Sequence, residues 1–445
     1  MALASPYSRP EPKIGPSLGH NALKPDGSPN DPDRAEIGPT DLAFAEWAEL
    51  GITAPNLPRM REFRLKRITD QLSARDLGGV LLFDPLNIRY ATDSSNMQLW
   101  TAHNPARAAF VGVDGHVVLW DFHGSTHLTT HLPLINEVRG GAGFFYFVAG
   151  DAEERKAEKF AAQIAELLQR SGGTGARLAV DKIEPHGLVA LQALGIQPAS
   201  GQAVLEHARS IKSVDDLNAM RCAIATCEIS MAAMEEAMEP GMAEVELWAI
   251  LHAENIKRGG EWIETRILSS GPRTNPWMQE AGPRRMQAGE LMAFDTDLIG
   301  PYGMCCDISR TWLVGDGQPD GEQKRLYQVA YEHIMTNMAL LKPGLGFREL
   351  TERAHRLPAE FVAQRYGVLG HGVGLCDEFP SVHYPEDFIE GSFDYEFEPG
   401  MCFCVEAYIG AEGGKEGVKL EQQLLITETG YEDLTRYPFD ARLLS

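Results

Sequence analysis

The sequence predicts two folded domains: an α/β N-terminal domain, followed by an α+β C-terminal domain with an internal duplication. Three observations favour this fold class. At 445 residues, the chain is too long for one hydrophobic core and suggests two or three domains. Over residues 60–180, helical periodicity alternates with short apolar runs typical of buried strands. Beyond residue 211, a pattern of helices leading into an acidic strand occurs twice.

The N-terminal part of the chain changes character near residue 40. Residues 1–40 are rich in Pro, Gly, Asp and Asn and lack apolar periodicity, so we expect an extended arm. Residues 41–210 are assigned to the α/β domain. Within it, M-R-E-F-R-L-K-R-I-T-D-Q-L from Met60 predicts an amphipathic helix, and G-G-V-L-L-F predicts the buried strand that follows.

Charge and hydropathy argue against nucleic-acid and membrane partners. A formal charge of −23 and the lack of a Lys/Arg-rich run argue against nucleic acid. The chain has no apolar stretch of about 18 residues or more and no uninterrupted apolar signal segment, so we expect a cytoplasmic protein without membrane contact. The seven cysteines form no C-x-x-C pair, which favours reduced thiols over a disulfide framework.

A weak internal duplication organises the C-terminal domain, residues 211–445. P-G-M-A-E-V-E-L from Pro240 recurs as P-G-L-G-F-R-E-L from Pro343. Each half then reaches a strand with one carboxylate, and a second carboxylate follows. The pairs are Asp295 with Asp307, and Glu406 with Glu421. A pseudo-twofold relation would bring all four to one centre, whereas chance similarity of short α/β units is the alternative.

The acidic stretch G-E-L-M-A-F-D-T-D and the glycine-flanked His371 predict a metal centre. Asp295 and Asp297 are two residues apart, so on a strand they project to the same face, and Asp307 returns on the neighbouring strand. Clustered carboxylates repel unless they are protonated or metallated. An exposed acidic turn is the alternative, but apolar runs flank the stretch. Oxygen ligands with one imidazole suit Mn, Fe, Co or Zn.

These motifs resemble the metal site of the pita-bread superfamily, which includes methionine aminopeptidase, prolidase, aminopeptidase P and creatinase. The resemblance is carried by D-I-S-R-T, G-H-G-V-G-L and K-L-E-Q-Q-L-L-I-T, and in the first domain by N-I-R-Y-A-T-D. It implies a homodimer with two divalent metal ions, iron first, with Zn, Mn, Co and Ni as alternatives. The implied ligands are Asp295, Asp307, His371, Glu406 and Glu421. Asp297 is a sixth ligand in this interpretation, with turn capping as its alternative role.

Departures from the peptidase pattern indicate a different reaction. The peptidases have a histidine after S-G-P, where this chain has Trp277 or Met278, and a second histidine where this chain has Glu378. Because those histidines handle the scissile amide, their absence argues against amide hydrolysis. The pattern is most similar to the dimethylsulfoniopropionate lyase branch, which implies β-elimination of a zwitterionic small molecule to dimethyl sulfide and acrylate. An Xaa-Pro peptidase, a creatinase-like hydrolase and a non-catalytic interaction protein are the alternatives.

The predicted chemistry needs a base and a site for the sulfonium. Asp377, six residues beyond His371, is the predicted general base, with an ordinary exposed aspartate as the alternative. Tyr366 is predicted as the catalytic-site aromatic that contacts the cation, because aromatic faces attract cations. Trp277 and Trp100 are further candidates, although most aromatic residues simply pack in cores.

Overall fold

The computed structural model describes residues 23–30, 37–392 and 394–445. Residues 1–22 and 31–36 of the predicted arm lie outside the described residues. The chain divides into two compact units, one built on Pro55–Arg209 and the other on Ile37–Ala54 together with Ser210–Ser445. Within the described residues, no helix has the combined length and hydropathy of a membrane span.

The first described helix, α1 (Asp41–Glu49), belongs to the second unit, whereas the sequence assigned it to the N-terminal domain. Its Trp47 is 1% exposed, and the indole ring lies 6.0 Å from the ring of Tyr302. The Arg258 guanidinium donates two hydrogen bonds to the Glu46 carboxylate, at 2.6 and 2.8 Å. A long-range apolar contact and an ion pair therefore fix this segment, and neither is visible in the local sequence pattern.

The first unit is a mixed six-stranded sheet with helices. Its helices are α2 (Leu57–Ala74), α3 (Pro85–Thr92), α4 (Gln98–His103), α5 (Tyr146–Ala149), α6 (Glu153–Gly172), α7 (Pro185–Ala193) and α8 (Gly201–Ser210). Its strands are β1 (Gly79–Leu82), β2 (Ala108–Gly112), β3 (Val117–Trp120), β4 (Glu137–Arg139), β5 (Leu178–Val180) and β6 (Ala199–Ser200). The strand order is β4-β3-β2-β1-β5-β6, with β1 antiparallel to β2 and parallel to β5.

The second unit contains the remaining elements. Its further helices are α9 (Val214–Ala237), α10 (Glu244–Lys257), α11 (Gly321–Met338), α12 (Phe347–Arg353), α13 (Ala359–Val362) and α14 (Ala441–Leu444). Its strands are β7 (Trp262–Ile263), β8 (Leu268–Ser270), β9 (Leu291–Asp295), β10 (Leu298–Ile299), β11 (Cys305–Cys306), β12 (Ser309–Leu313), β13 (Val368–Val373), β14 (Asp377–His383), β15 (Cys402–Ile409), β16 (Val418–Ile426) and β17 (Tyr431–Asp433). Ser213 and Asp216 form the predicted capping box at the start of α9.

Three antiparallel sheets organise this unit: β12-β9-β8, β11-β10-β7 and β14-β13-β15-β16-β17. Helix α11 packs against β15 and β16, and β12 lies next to β16. The Thr311 hydroxyl on β12 donates to the Lys419 carbonyl and accepts from the Lys419 amide on β16, which joins the two sheets. Every residue of β15 and β16 is buried, so the polar side chains of these strands face the interior. The predicted internal duplication stays a prediction.

The packing of α1 can be tested by truncating its buried tryptophan. Trp47→Ala is expected to lower the free energy of unfolding of the second unit by about 3–5 kcal/mol, because the truncation leaves a cavity. Denaturant unfolding followed by circular dichroism measures the loss. Leu50→Ala, at a side chain that is 52% exposed, is the control and should change stability by less than about 0.5 kcal/mol. Equal, small effects of both variants would contradict the assignment of α1 to this core.

Candidate metal centre

One face of the five-stranded sheet carries three of the predicted ligands. Glu406 on β15 is paired directly with Glu421 on β16, and His371 on β13 is paired with Cys404, two residues before Glu406. Paired residues and residues two apart share a face of a sheet. His371 Nε2 consequently lies 3.5 Å from Glu406 Oε1 and 3.5 Å from Glu421 Oε1. Strand register alone brings these side chains together.

The three aspartates reach the same place by a less regular path. Strand β9 ends at Asp295, and Asp297 has a φ of 36°, so the prediction that both project from one strand is wrong. The chain bends here because its pairing changes: β9 pairs with β12, but β10 pairs with β11. The hydroxyl of Thr296 lies in the break, donating to the Cys306 carbonyl and accepting from the Ile308 amide.

Despite this bend, the structure brings all six predicted ligands into one cluster. Asp307 Oδ2 lies 3.4 Å from His371 Nε2, and the Thr265 hydroxyl donates to Asp297 Oδ2 at 2.7 Å. Within the described residues, three overlapping groups have ligand atoms within 4.8 Å of one another. They are Asp307, His371, Cys404 and Glu421; Asp295, Glu406 and Glu421; and Asp295, Asp297 and Asp307.

Lys419 is a member of the cluster that the sequence prediction missed. Its side chain is fully buried, and Nζ lies 2.8 Å from Asp295 Oδ2, 2.9 Å from Glu406 Oε2 and 2.8 Å from Glu421 Oε2. The signal was present in K-L-E, because a lysine two residues before Glu421 on a strand projects to the same face. A buried lysine is rare unless it is paired.

The cluster strongly perturbs its own ionisable groups. Burial and the charges of Glu421 and Asp295 raise the pKa of Asp307, and burial with Asp295 and Asp377 does the same for the pKa of Asp297. Burial raises the pKa of Glu406 to about 8, although Lys419 opposes it. Burial disfavours charge on His371, yet Asp377, Glu421 and Glu406 together raise its pKa. The cluster thus favours additional positive charge, whether from protons or from metal ions.

The donor set fits divalent metal ions. Asp307 Oδ1 and Glu406 Oε1 are buried and accept no hydrogen bond from the part of the chain that the structure describes. Buried polar atoms normally have partners, so these oxygens indicate a ligand. Five carboxylates and one imidazole supply mainly hard oxygen donors, which suit Mn, Fe, Co or Zn rather than a structural thiolate site. Cys404 is the sole thiol among the grouped residues, and its pKa is raised by burial.

Asp377 and Glu378 lie side by side at the start of β14 but face opposite environments. The Asp377 side chain is 50% exposed, and its Oδ1 lies 3.7 Å from His371 Nδ1. Partial burial, with the charges of Glu421 and Asp295, raises the pKa of Asp377 against the opposing effect of His371. Glu378 is buried and pairs with Lys212 Nζ at 2.5 Å. Because side chains alternate along a strand, Asp377 faces His371, whereas Glu378 points the other way and forms a separate ion pair with Lys212.

The three predicted aromatic residues have different surroundings. The centroid of the Tyr366 ring lies 4.6 Å from Lys419 Nζ, at the cluster. Trp277 is 8% exposed, its ring centroid lies 6.0 Å from Lys419 Nζ, and it stacks on Tyr408 at 5.7 Å. Trp100 belongs to the first unit, where its ring lies 5.7 Å from the ring of Phe122. Tyr366 and Trp277 therefore both lie beside the cluster, within the second unit.

Comparisons with known proteins agree with the sequence motifs. Residues 218–428 match the model of metallopeptidase family M24. The fold resembles dipeptidase PepE from Mycobacterium ulcerans, with a TM-score of 0.68 and 22% identity over 85% of this chain and 96% of that one. It also resembles an Xaa-Pro dipeptidase from Bacillus anthracis, with a TM-score of 0.67 and 21% identity over 85% of this chain and 98% of the other.

Two curated relatives match nearly the whole chain. The dimethylsulfoniopropionate lyase DddP from Roseovarius nubinhibens is 57% identical, covering 97% of this chain and 98% of the relative. The protein of the same name from Roseobacter denitrificans is 52% identical, covering 97% of both chains. The chain therefore belongs to the DddP family, within the pita-bread superfamily that its motifs indicate.

Proposed function

We propose that this protein is a dimethylsulfoniopropionate lyase, which cleaves its substrate by β-elimination to dimethyl sulfide and acrylate. The observation that carries the proposal is the 57% identity, over nearly the full length of both chains, to the Roseovarius nubinhibens enzyme of that activity. The cluster in the second unit supplies the chemistry that the reaction needs. Because the cluster lies within residues 211–445, these residues are the proposed catalytic domain. The homodimer is proposed from the family resemblance.

The predicted ligand set would hold two divalent metal ions, with iron as the proposed metal. The residues are Asp295, Asp297, Asp307, His371, Glu406 and Glu421, whose ligand atoms form overlapping groups within 4.8 Å. When bound, such ions accept a carboxylate and stabilise negative charge that develops on the carbon beside it. Iron is proposed from the family resemblance, since the oxygen-rich donor set accommodates the alternatives Zn, Mn, Co and Ni equally well.

Asp377 is the proposed general base. Its carboxylate would remove the proton from the carbon next to the substrate carboxylate. The released electron pair forms the carbon–carbon double bond of acrylate, the carbon–sulfur bond breaks, and dimethyl sulfide leaves as a neutral molecule. Because the Asp377 side chain is 50% exposed, it can pass the proton to solvent between turnovers. No water nucleophile takes part, so the chain has no need for the two peptidase histidines.

Aromatic rings beside the cluster are the proposed contacts for the sulfonium. The Lys419 ammonium lies 4.6 Å from the centroid of the Tyr366 ring, which supports the proposal that this ring contacts a cation. Trp277 is a second proposed contact from the same unit, whereas the role predicted for Trp100, which belongs to the first unit, stays a prediction. Hydrolysis of an Xaa-Pro peptide is the competing function, because the similar folds include dipeptidases.

The proposed metal centre predicts uptake of metal with release of protons. Since the pKa values of Asp297, Asp307 and Glu406 are raised, part of the cluster is protonated at neutral pH without metal, and metal must displace those protons. The apparent affinity for Mn²⁺ should therefore rise with pH up to and through about 8, the pKa of Glu406. Protein freed of metal with a chelator is titrated with Mn²⁺ in a calorimeter, in two buffers of different ionisation enthalpy. This titration measures both the affinity for Mn²⁺ and the number of protons released.

Asp307→Asn tests whether the uptake occurs at this cluster. The variant should lower the affinity by at least about 100-fold, since it removes a ligand charge. Wild-type protein that takes up no metal would contradict the proposed centre and would favour a non-catalytic interaction protein.

The proposed base predicts a selective loss of turnover. Asp377→Ala should retain bound metal but lower kcat for release of dimethyl sulfide by about 10²–10⁴-fold, measured by headspace gas chromatography. Asp387→Ala is a matched control, because that side chain is also 50% exposed but pairs with Arg365. Full activity of the Asp377 variant would reject this assignment. Wild-type enzyme that cleaves an Xaa-Pro dipeptide and releases no dimethyl sulfide would reject the lyase.

The role of Tyr366 can be separated into ring and hydroxyl contributions. Tyr366→Phe keeps the aromatic face and should change KM by less than about twofold, whereas Tyr366→Leu removes the face and should raise KM by about 5- to 30-fold. Steady-state kinetics with dimethylsulfoniopropionate measures both variants. A large loss of kcat in Tyr366→Phe would instead assign the catalytic contribution to the hydroxyl.

A further inference from the structure

Lys419 is a buried cation among the carboxylates of the proposed centre. Its side chain is fully buried on β16, and three carboxylate oxygens surround Nζ at 2.8–2.9 Å. Nζ also donates to the hydroxyl of Ser309 at 2.7 Å. That hydroxyl lies 2.7 Å from Asp295 Oδ1 and 2.8 Å from Glu421 Oε2, so it can donate to either carboxylate. The ammonium is therefore enclosed by oxygen atoms.

The two glutamates divide their oxygens between Lys419 and His371. Oε2 of Glu406 and Oε2 of Glu421 face the ammonium, at 2.9 and 2.8 Å. Oε1 of each faces His371 Nε2, at 3.5 Å in both cases. Asp307 Oδ2 lies on the histidine side at 3.4 Å, whereas Asp295 Oδ2 lies on the lysine side at 2.8 Å. The carboxylates are thus oriented by the lysine and remain open towards the histidine.

The ammonium occupies one of the three groups of candidate ligands. The group formed by Asp295, Glu406 and Glu421 is the set of carboxylates that Lys419 contacts. The other two groups both contain Asp307, and each also contains one residue that Lys419 contacts: Glu421 in one and Asp295 in the other. Lys419 therefore fills one group with a cation that belongs to the chain, and it shares Asp295 and Glu421 with the two groups left for divalent ions.

The charges of the buried centre balance only when this lysine is counted. Asp295, Asp297, Asp307, Glu406 and Glu421 carry five negative charges when ionised. Two divalent ions supply four positive charges, and the Lys419 ammonium supplies the fifth, while a metal-bound imidazole is neutral. Burial of a net charge is costly, so a neutral ensemble is strongly favoured.

We propose that Lys419 is a positioning residue of the metal centre: a permanent third cation that orients Asp295, Glu406 and Glu421 and neutralises the ligand set beside two divalent ions. This inference rests on the proposed metal centre but not on the identity of the substrate. Its electrostatic consequence is specific. Without metal, only bound protons, His371 and Lys419 compensate the carboxylates, so loss of the lysine charge is more costly in the chelated protein than in the metal-loaded protein.

The test compares thermal unfolding of Lys419→Met with and without metal. In chelated protein, the variant should lower Tm by about 10 °C or more, because it leaves buried carboxylates unpaired. Saturating Mn²⁺ should restore most of that loss, so the increase of Tm on metal addition should be larger in the variant than in wild type. Failure of the variant to fold without metal, with folding restored by Mn²⁺, is the extreme form of the same result.

Two further variants distinguish charge from packing. Lys419→Arg keeps the positive charge and should show the metal-induced increase of Tm seen in wild type. Lys212→Met removes another buried lysine, which pairs with Glu378 and contacts none of the six proposed ligands, so its loss of Tm should be equal in both states. An equal loss in Lys419→Met with and without metal would overturn the proposal. A metal-induced increase of Tm in Lys419→Arg as large as that in Lys419→Met would also overturn it.

Metal analysis of wild-type protein separates this inference from the proposals on which it depends. If wild type binds two ions and the metal-induced increase of Tm is the same in wild type and Lys419→Met, only the role of Lys419 is rejected. Absence of metal from wild type rejects the centre. Metal binding without release of dimethyl sulfide rejects the reaction and leaves the test of Lys419 unaffected.

Discussion

Repulsion among buried carboxylates is the constraint on which the rest of the second unit depends. Asp295, Asp307, Glu406 and Glu421 are each at most 3% exposed, yet they lie close enough to share ligand positions. Such a cluster persists only where cations compensate it and rigid strands hold it. Lys419 and His371 supply part of the positive charge that the cluster needs. The remaining deficit of positive charge, together with burial, raises the pKa values of Asp297, Asp307 and Glu406. The same deficit would favour the metal ions that the proposed centre holds.

The sheet architecture supplies the rigidity. Glu406 and Glu421 lie at the middle of two long strands that are buried along their full length, with α11 packed against both. The guanidinium of Arg310 donates to the carbonyl of Glu421 at 2.7 Å, which fixes the backbone at this ligand. The Thr311 hydroxyl does the same for Lys419. Polar groups of β12 therefore hold the cluster-bearing strand β16 in place.

Alternation along β14 gives the neighbouring residues Asp377 and Glu378 different environments. Asp377 faces His371 and stays half exposed, which is the environment that a base exchanging protons with solvent requires. Glu378, where the peptidases have a histidine, is instead buried with Lys212. The fold shared with dipeptidases is thus compatible with a different reaction, because a few side chains around the metal ligands decide the chemistry.

The sequence by itself determined the superfamily and the residues that converge, because ligand types, period-two alternation and the D-I-S-R-T, G-H-G-V-G-L and K-L-E motifs are local features of the chain. Only the tertiary structure decided how they converge. The left-handed Asp297, the burial of Lys419 among three carboxylates and the assignment of α1 to the second unit all depend on contacts between residues far apart in sequence. Local propensity does not encode such contacts, since pairing and burial are set by the partner segment.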